Sequence, residues 1–180
     1  DYLKKIISLA KRFKVQGGRV VDANIASGDL GKGKWRDYQF LEKAGLPIAK
    51  TSKQLTIYNL QLTPPFIAKW IYGMKAKGTF LIKKKADIKN IPRYIPRKEL
   101  MVQEYIEADY EYKVITVGYK ALPVLLRFKI SDSGFRIDFE KHQTLKKIDA
   151  PIVCSLAEKA SKTLGRELAK VDILEKAGKF

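Results

Sequence analysis

The 180-residue sequence has one cysteine, Cys154, and one histidine, His142. A single cysteine excludes an internal disulfide, which fits a reducing cytoplasm, and it excludes CxxC and zinc-finger spacings. A single histidine argues against histidine-based metal sites and a Ser-His-Asp triad. His142 stands beside Lys141 in a polar stretch and reads as a surface residue. Cys154 lies in an apolar helical pattern and reads as a small core residue. Acidic residues are scarce, 19 against 36 lysines and arginines. No apolar run approaches the ~20 residues of a membrane span; Ala121 to Leu126 is among the longest. Residues 1–14 do not read as a signal peptide, because Lys4, Lys5, Lys11, Arg12 and Lys14 interrupt their apolar pattern. There is no internal repeat, no low-complexity tract and no aromatic RNA-recognition motif.

Apolar residues make up 46% and charged residues 31%, a globular balance. The length favours one domain or two small lobes. The net charge of +17 is uneven: residues 1–100 hold 22 lysines and arginines against 7 acids, residues 101–180 hold 14 against 12. A basic half suggests a polyanion partner: nucleic acid, a membrane surface or nucleotide phosphates. Solubility or lysine bias accounts for the charge equally well.

Residues 2–13 read as an amphipathic helix, with Leu3, Ile6, Ile7, Ala10 and Phe13 at helical spacing and Gly17-Gly18 beyond. Arg19 to Ala23 reads as a short strand, and Ser27 to Lys34 as a glycine-bearing connection. A second helix is expected from Trp35 to Ala44, ended by Gly45, with Leu46 to Thr51 extended. Strands are expected at Phe66–Ile71, Thr79–Lys83, Glu99–Ile106, Tyr110–Val117 and Leu122–Ile130, the last two joined by a turn at Gly118-Tyr119-Lys120. A helix opens at Asp149-Ala150-Pro151 and closes at Gly165. Leu168 to Leu174 is a final strand. This pattern predicts an α+β fold with mostly antiparallel strands.

Four features bear on chemistry. Lys69 sits inside the apolar run Phe66 to Ile71, where a lysine needs an anion nearby or an edge strand that lets it reach solvent or a carboxylate. Gly73-Met74-Lys75-Ala76-Lys77-Gly78 combines glycines with lysines, as a phosphate-contacting loop does, yet lacks the P-loop ending. Strand alternation puts Glu111 and Lys113 on one face, opposite Tyr110, Tyr112 and Val114, and puts Leu125 and Arg127 together on the next strand. Such a face holds a polar ligand or is merely solvated. Asp172 interrupts the apolar run Val171 to Leu174, as an edge residue or as a ligand for a hard cation.

Taken in order, these pieces resemble the ATP-grasp family, most closely its ribosomal-protein glutamate ligase branch. Lys34 to Leu41, Ala44-Gly45-Leu46-Pro47 and Lys50-Thr51 are similar to the family's opening lysine, helix and following strand. Pro65 to Lys69 resembles its nucleotide-contacting strand, Gly73 to Gly78 its loop over the phosphates, and Leu100 to Ile106 its hinge. Glu111 to Gly118, Phe135 to Asp138 and Leu164 to Leu174 are similar to later motifs.

The resemblance implies two α+β lobes with an ATP site between them: residues 34–98 and 99–180, after a remnant of a preceding domain at 1–33. It implies that Lys34, Lys69, Gly73, Lys75 and Gly78 contact the nucleotide. Glu104, Tyr105 and Ile106 would form the hinge, and Glu111 would meet the nucleotide hydroxyls. Lys113 would replace a family arginine, Arg127 would face the phosphates with Lys69 in the catalytic set, and Asp172 would bind Mg²⁺. The implied reaction activates a carboxylate as an acyl phosphate, which an amine or thiol then displaces. The family's E-x-N strand is expected beyond Phe180. Asp138 and Lys170 also depart from the pattern, as does Ala76 within the loop. A degenerate domain that binds nucleotide or a partner without catalysis is therefore a second expectation, and a basic nucleic-acid-binding domain a third.

Overall fold

The computed structural model describes residues 2–21, 33–53, 63–73, 78–129, 143–146 and 150–180. Expectations at Gly28, Gly31, Lys75, Phe135 to Asp138 and His142 lie outside the described residues. The chain forms two compact units, one of residues 33–39 and 47–106, the other of residues 1–32, 40–46 and 107–180.

In the first unit four antiparallel strands form one sheet: β1 (Thr51–Lys53), β2 (Phe66–Trp70), β3 (Thr79–Ile82) and β4 (Leu100–Glu104), in the order β1-β4-β2-β3. Alternate residues face opposite ways along a strand. Phe66, Ala68, Leu100 and Val102 therefore share one face, where Ile82, Ile88, Ile91 and Ile95 close a buried core. Ile88 lies in a 3-10 helix, Lys85–Asn90, that sequence periodicity does not show; a second, Arg97–Glu99, takes the place of the expected start of β4. Asp87 fixes the first by accepting the backbone N–H groups of Lys83 and Lys84 at 2.9 and 3.0 Å.

The second unit carries the sheet β7-β6-β5-β8, also antiparallel, from β5 (Tyr110–Val117), β6 (Lys120–Lys129), β7 (Gln143–Lys146) and β8 (Leu168–Glu175). β7 was not anticipated. Tyr112, Val114 and their neighbours Val171 and Ile173 pack with Val153 and Ala157 of the helix Pro151–Thr163. Pro151 starts that helix, where its missing N–H costs no hydrogen bond. Gly165, at φ +62°, ends it: Arg166 N–H donates to Ser161 O and Gly165 N–H to Lys162 O. The unit also contains α1 (Tyr2–Val15); residues 19–21 form no strand, contrary to expectation. The helix Lys34–Lys43, α2, precedes the described sheet strands, and Pro151–Thr163 is α3. β1 begins at Thr51, the last residue of the segment expected to be extended, and the Lys50 carbonyl just before it accepts from Glu104 N–H.

Among the described residues no helix is long and apolar enough to cross a membrane.

Candidate functional site

β2 lies between β4 and β3, so Lys69 stands on an interior strand, not at an edge. Its register partner is Met101, while Gln103 pairs with Ile67 on one side and Thr51 on the other. Lys69 and Gln103 are thus diagonal neighbours on the sheet face opposite the isoleucine core, within reach of a long side chain. Gln103 is buried, and its Oε1 accepts from Lys69 Nζ at 2.6 Å. The Tyr38 hydroxyl lies 3.4 Å from the same ammonium, and the Tyr38 ring centroid 5.7 Å. All of these partners are neutral.

Lys34 opens α2. Its backbone N–H donates to Ile71 O at 3.0 Å, and its Nζ donates to the Gly73 carbonyl. These two bonds fix the helix start to the chain leaving β2. Burial lowers the Lys34 pKa, and the nearby Lys69 charge lowers it further. Two neighbouring cations bonded only to neutral groups are chemically suited to an anion.

Gly73 and Gly78 bracket the loop of the expected phosphate contacts. Gly73 N–H donates to Trp70 O at 3.0 Å, and Trp70 N–H donates to Gly78 O at 2.7 Å. The loop is thereby tied at both ends to the last residue of β2. Trp70 is fixed in turn, since its indole N–H donates to Glu99 Oε2 at 3.0 Å. Glu104 ends β4, with its N–H donating to Lys50 O at 2.9 Å. Tyr105 and Ile106 follow beyond the last ladder pair, Phe66 with Glu104.

In the other unit, Lys113 lies directly opposite Asp172 on β8. Its ammonium donates to Glu111 Oε1 at 2.7 Å and to Asp172 Oδ1 at 3.3 Å, and Lys170 Nζ lies 4.0 Å from the same Asp172 oxygen. Burial works against the charge on Lys113, but the hydrogen bond to Glu111 and the two carboxylate charges outweigh it and raise its pKa. These three residues share the face turned away from α3, as alternation predicted for Glu111 and Lys113. Asp172 is 48% exposed. It offers one hard oxygen donor, which suits Mg²⁺ when phosphates and water supply the rest. Among the described residues no three His, Cys, Asp or Glu side chains form a metal-binding cluster.

Arg127 is not in register with that face. It pairs with Tyr112, whereas Leu126 pairs with Lys113; the Arg127 side chain, like Lys75, lies outside the described residues. Gln103, Thr51 and Tyr38 were not anticipated as site residues. An amide following the apolar run Leu100-Met101-Val102 was the available signal, since a buried amide needs partners.

No curated protein matches the chain. Among solved structures it is similar to the D-Ala:D-Ser ligase of Enterococcus faecalis, at 18% identity and a TM-score of 0.72, covering 97% of this chain and 57% of that one. It is similar to the D-alanine–D-alanine ligase of Bacillus anthracis complexed with ATP, at 17% identity and a TM-score of 0.71, covering 94% and 59%. It also resembles the N5-carboxyaminoimidazole ribonucleotide synthetase of Thermotoga maritima, at 16% identity and a TM-score of 0.68, covering 97% and 46%. At these identities the likeness is one of fold, and the chain spans about half the length of those proteins. The family model of the RimK-like ATP-grasp domain matches residues 32–179, and with the α+β architecture of antiparallel sheets this places the chain in that family.

Proposed function

We propose that this chain is the ATP-binding part of a carboxylate–amine or carboxylate–thiol ligase that works through an acyl phosphate. The observation that carries the reading is the Lys34–Lys69 pair, two neighbouring cations held by neutral groups alone. In this reading both lysines take phosphate oxygens. The backbone from Glu104 to Ile106 reads the adenine edge. Glu111 accepts from nucleotide hydroxyls, and Lys113 orients it. Asp172 would hold Mg²⁺, which supplies charge neutralisation at the phosphates when bound. The protein's own contribution is positioning and preorganised positive charge where negative charge builds up during phosphoryl transfer. The ATP complex of the similar Bacillus anthracis ligase supports the choice of nucleotide.

A second reading, nucleotide binding without ligation, draws on one observation: Lys113 already engages both Glu111 and Asp172.

The test is the thermal shift of the chain with ATP, with and without Mg²⁺, beside Lys69→Ala. Ligand at 100 times its dissociation constant stabilises the folded state by ~2.7 kcal/mol. A shift that disappears in Lys69→Ala supports nucleotide at the lysine pair. No shift in a cooperatively melting chain overturns the reading. ADP release that depends on an added carboxylate and amine separates ligation from binding alone.

A further inference from the structure

The ATP reading leaves a strongly basic stretch of the chain without a role. Lys83 to Lys98 holds seven lysines and arginines and one carboxylate. All seven cations are exposed. The single carboxylate, Asp87, is occupied by the backbone N–H groups of Lys83 and Lys84. None of the seven cations forms an ion pair among the described residues. In an ordinary solvated surface, charges of both signs are interspersed.

The scaffold under this charge is fixed. Ile88, Ile91 and Ile95 are buried at 9%, 1% and 2% exposure and pack into the core of the 47–106 sheet. Arg97 donates to the Ile88 carbonyl at 3.4 Å, tying the end of the stretch to its first 3-10 helix. Inward isoleucines alternate with outward cations, and Lys85, Lys89, Arg93 and Arg97 recur every fourth residue. Beside Arg93 stands Tyr94, a residue 77% exposed.

We propose that Lys83–Lys98 is a binding surface for single-stranded nucleic acid, with phosphates tracked by the cations and a base stacked on Tyr94. A fixed basic track with a solvent-facing aromatic is the physical requirement for sequence-tolerant single-strand binding. An acidic peptide would use the charge and leave the tyrosine ring idle. An anionic membrane would favour further apolar side chains to insert, and Tyr94 is the one exposed large hydrophobic residue of this stretch.

The experiment is fluorescence anisotropy of a fluorescein-labelled 12-mer oligouridylate with the 180-residue chain. Five phosphate contacts at ~0.7 counterions each weaken binding on the order of 100-fold between 50 and 200 mM salt. Lys85→Ser, Lys89→Ser and Arg93→Ser together should cost about tenfold of affinity at fixed salt, since three of the five contacts carry about 1.3 of the roughly two salt-dependent decades. Tyr94→Ala should cost about tenfold through lost stacking. Lys4→Ser with Lys5→Ser removes exposed charge from α1 and should leave binding within about twofold, because those cations lie outside the track. All substituted residues are exposed, so an unchanged melting curve confirms folding. Equal losses from the α1 and the Lys85/Lys89/Arg93 variants would make the binding diffuse charge and overturn the proposal. So would the absence of oligonucleotide binding at 50 mM salt. Binding of phosphatidylserine vesicles or polyglutamate that needs Lys85, Lys89 and Arg93, with Tyr94→Ala silent, would reassign the surface to a membrane or an acidic protein.

Discussion

Lys69 Nζ lies 2.6 Å from Gln103 Oε1, so a cation on an interior strand rests on a neutral acceptor. A chain of hydrogen bonds fixes the orientation of that amide. Thr51 Oγ1 donates to the Ala49 carbonyl at 2.6 Å, which commits its single proton. It must then accept from Gln103 Nε2, at 3.1 Å, and this turns Oε1 toward the lysine. Had the amide been a carboxylate, the lysine charge would be cancelled inside the protein. As it stands, the charge on Lys69, next to Lys34, is available to an external anion.

Gln103→Glu separates positioning from charge. The carboxylate keeps the contact to Lys69 and should leave the melting temperature equal or higher. It should weaken ATP binding at least about tenfold, or ~1.4 kcal/mol, by neutralising the cation. Gln103→Leu removes the acceptor and should cost about 1–3 kcal/mol of stability, because the half-buried ammonium loses its partner. Calorimetric titration with ATP and thermal melts read the two effects apart. ATP affinity unchanged in Gln103→Glu would mean that Lys69 does not meet the phosphates.

The lowered pKa of Lys34 gives the site an alkaline limit. Burial and the Lys69 charge both disfavour its protonated form, so the folded value lies below 10.5. Between that lowered value and 10.5 the unfolded chain binds more protons, and the stability of the ligand-free chain rises with pH across that window. Phosphate favours the protonated amine, so ATP affinity should move the other way. It should be constant below the lowered pKa and fall up to about tenfold per pH unit above it. Titrations from pH 7 to 10 in buffers of different ionisation enthalpy should also show proton uptake on binding at the alkaline end. Lys34→Arg, charged throughout, should flatten this limb; an unchanged limb in that variant would assign it to another group.

Gly78 is held by two independent constraints. Its φ of +84° is strained for any residue with a Cβ, and a Cβ there would sit 2.9 Å from Trp70 Cβ, an atom too near the backbone to swing aside. Gly78→Ala should destabilise the sheet that carries Lys69 by more than the ~1 kcal/mol of the backbone term alone. Denaturant unfolding measures this directly, and the same variant should loosen the Trp70–Gly78 tie at the base of the loop. A loss below ~0.5 kcal/mol would show that the loop can be rebuilt around a side chain.

The strand Tyr110–Val117 was legible to the residue because its alternation is strict and a turn follows. The pairing of Glu111 with Lys113 on one face followed from the same alternation. That Lys113 stands opposite Asp172 did not, because register between β5 and β8 is set by non-local contacts. Arg127 shows how one residue of turn length matters. A three-residue turn over Gly118 to Lys120 would pair odd-numbered residues with odd-numbered ones and bring Arg127 into line with Lys113. The turn has two residues, Gly118 and Tyr119, both at positive φ, and Val117 pairs with Lys120. That parity puts Arg127 on the opposite face from Lys113, and a register shift between Val114 and Thr116 makes Tyr112 its partner. The 3-10 helix at Lys85–Asn90 was hidden because one side-chain cap, Asp87, shapes it in place of a hydrophobic period.

Among the described residues Thr116 is the exception to polar satisfaction in the core packed on α3. It is fully buried, and its Oγ1 has no hydrogen-bond partner among the described residues. Its register partners are Ala121 on β6 and Ala169 on β8, neither of which offers a side-chain polar group. A buried hydroxyl without a partner forgoes its hydration and gains nothing in return. Thr116→Val keeps the β-branched shape that the strand favours and replaces the hydroxyl by a methyl group. It should stabilise the chain by about 1 kcal/mol, which at this length raises the melting temperature by ~2–4 °C. Thr116→Ser, which keeps the hydroxyl and loses the methyl, should destabilise instead. Thermal melts of the two variants side by side decide the matter: a lower melting temperature for valine than for the parent would mean that the hydroxyl is bonded after all.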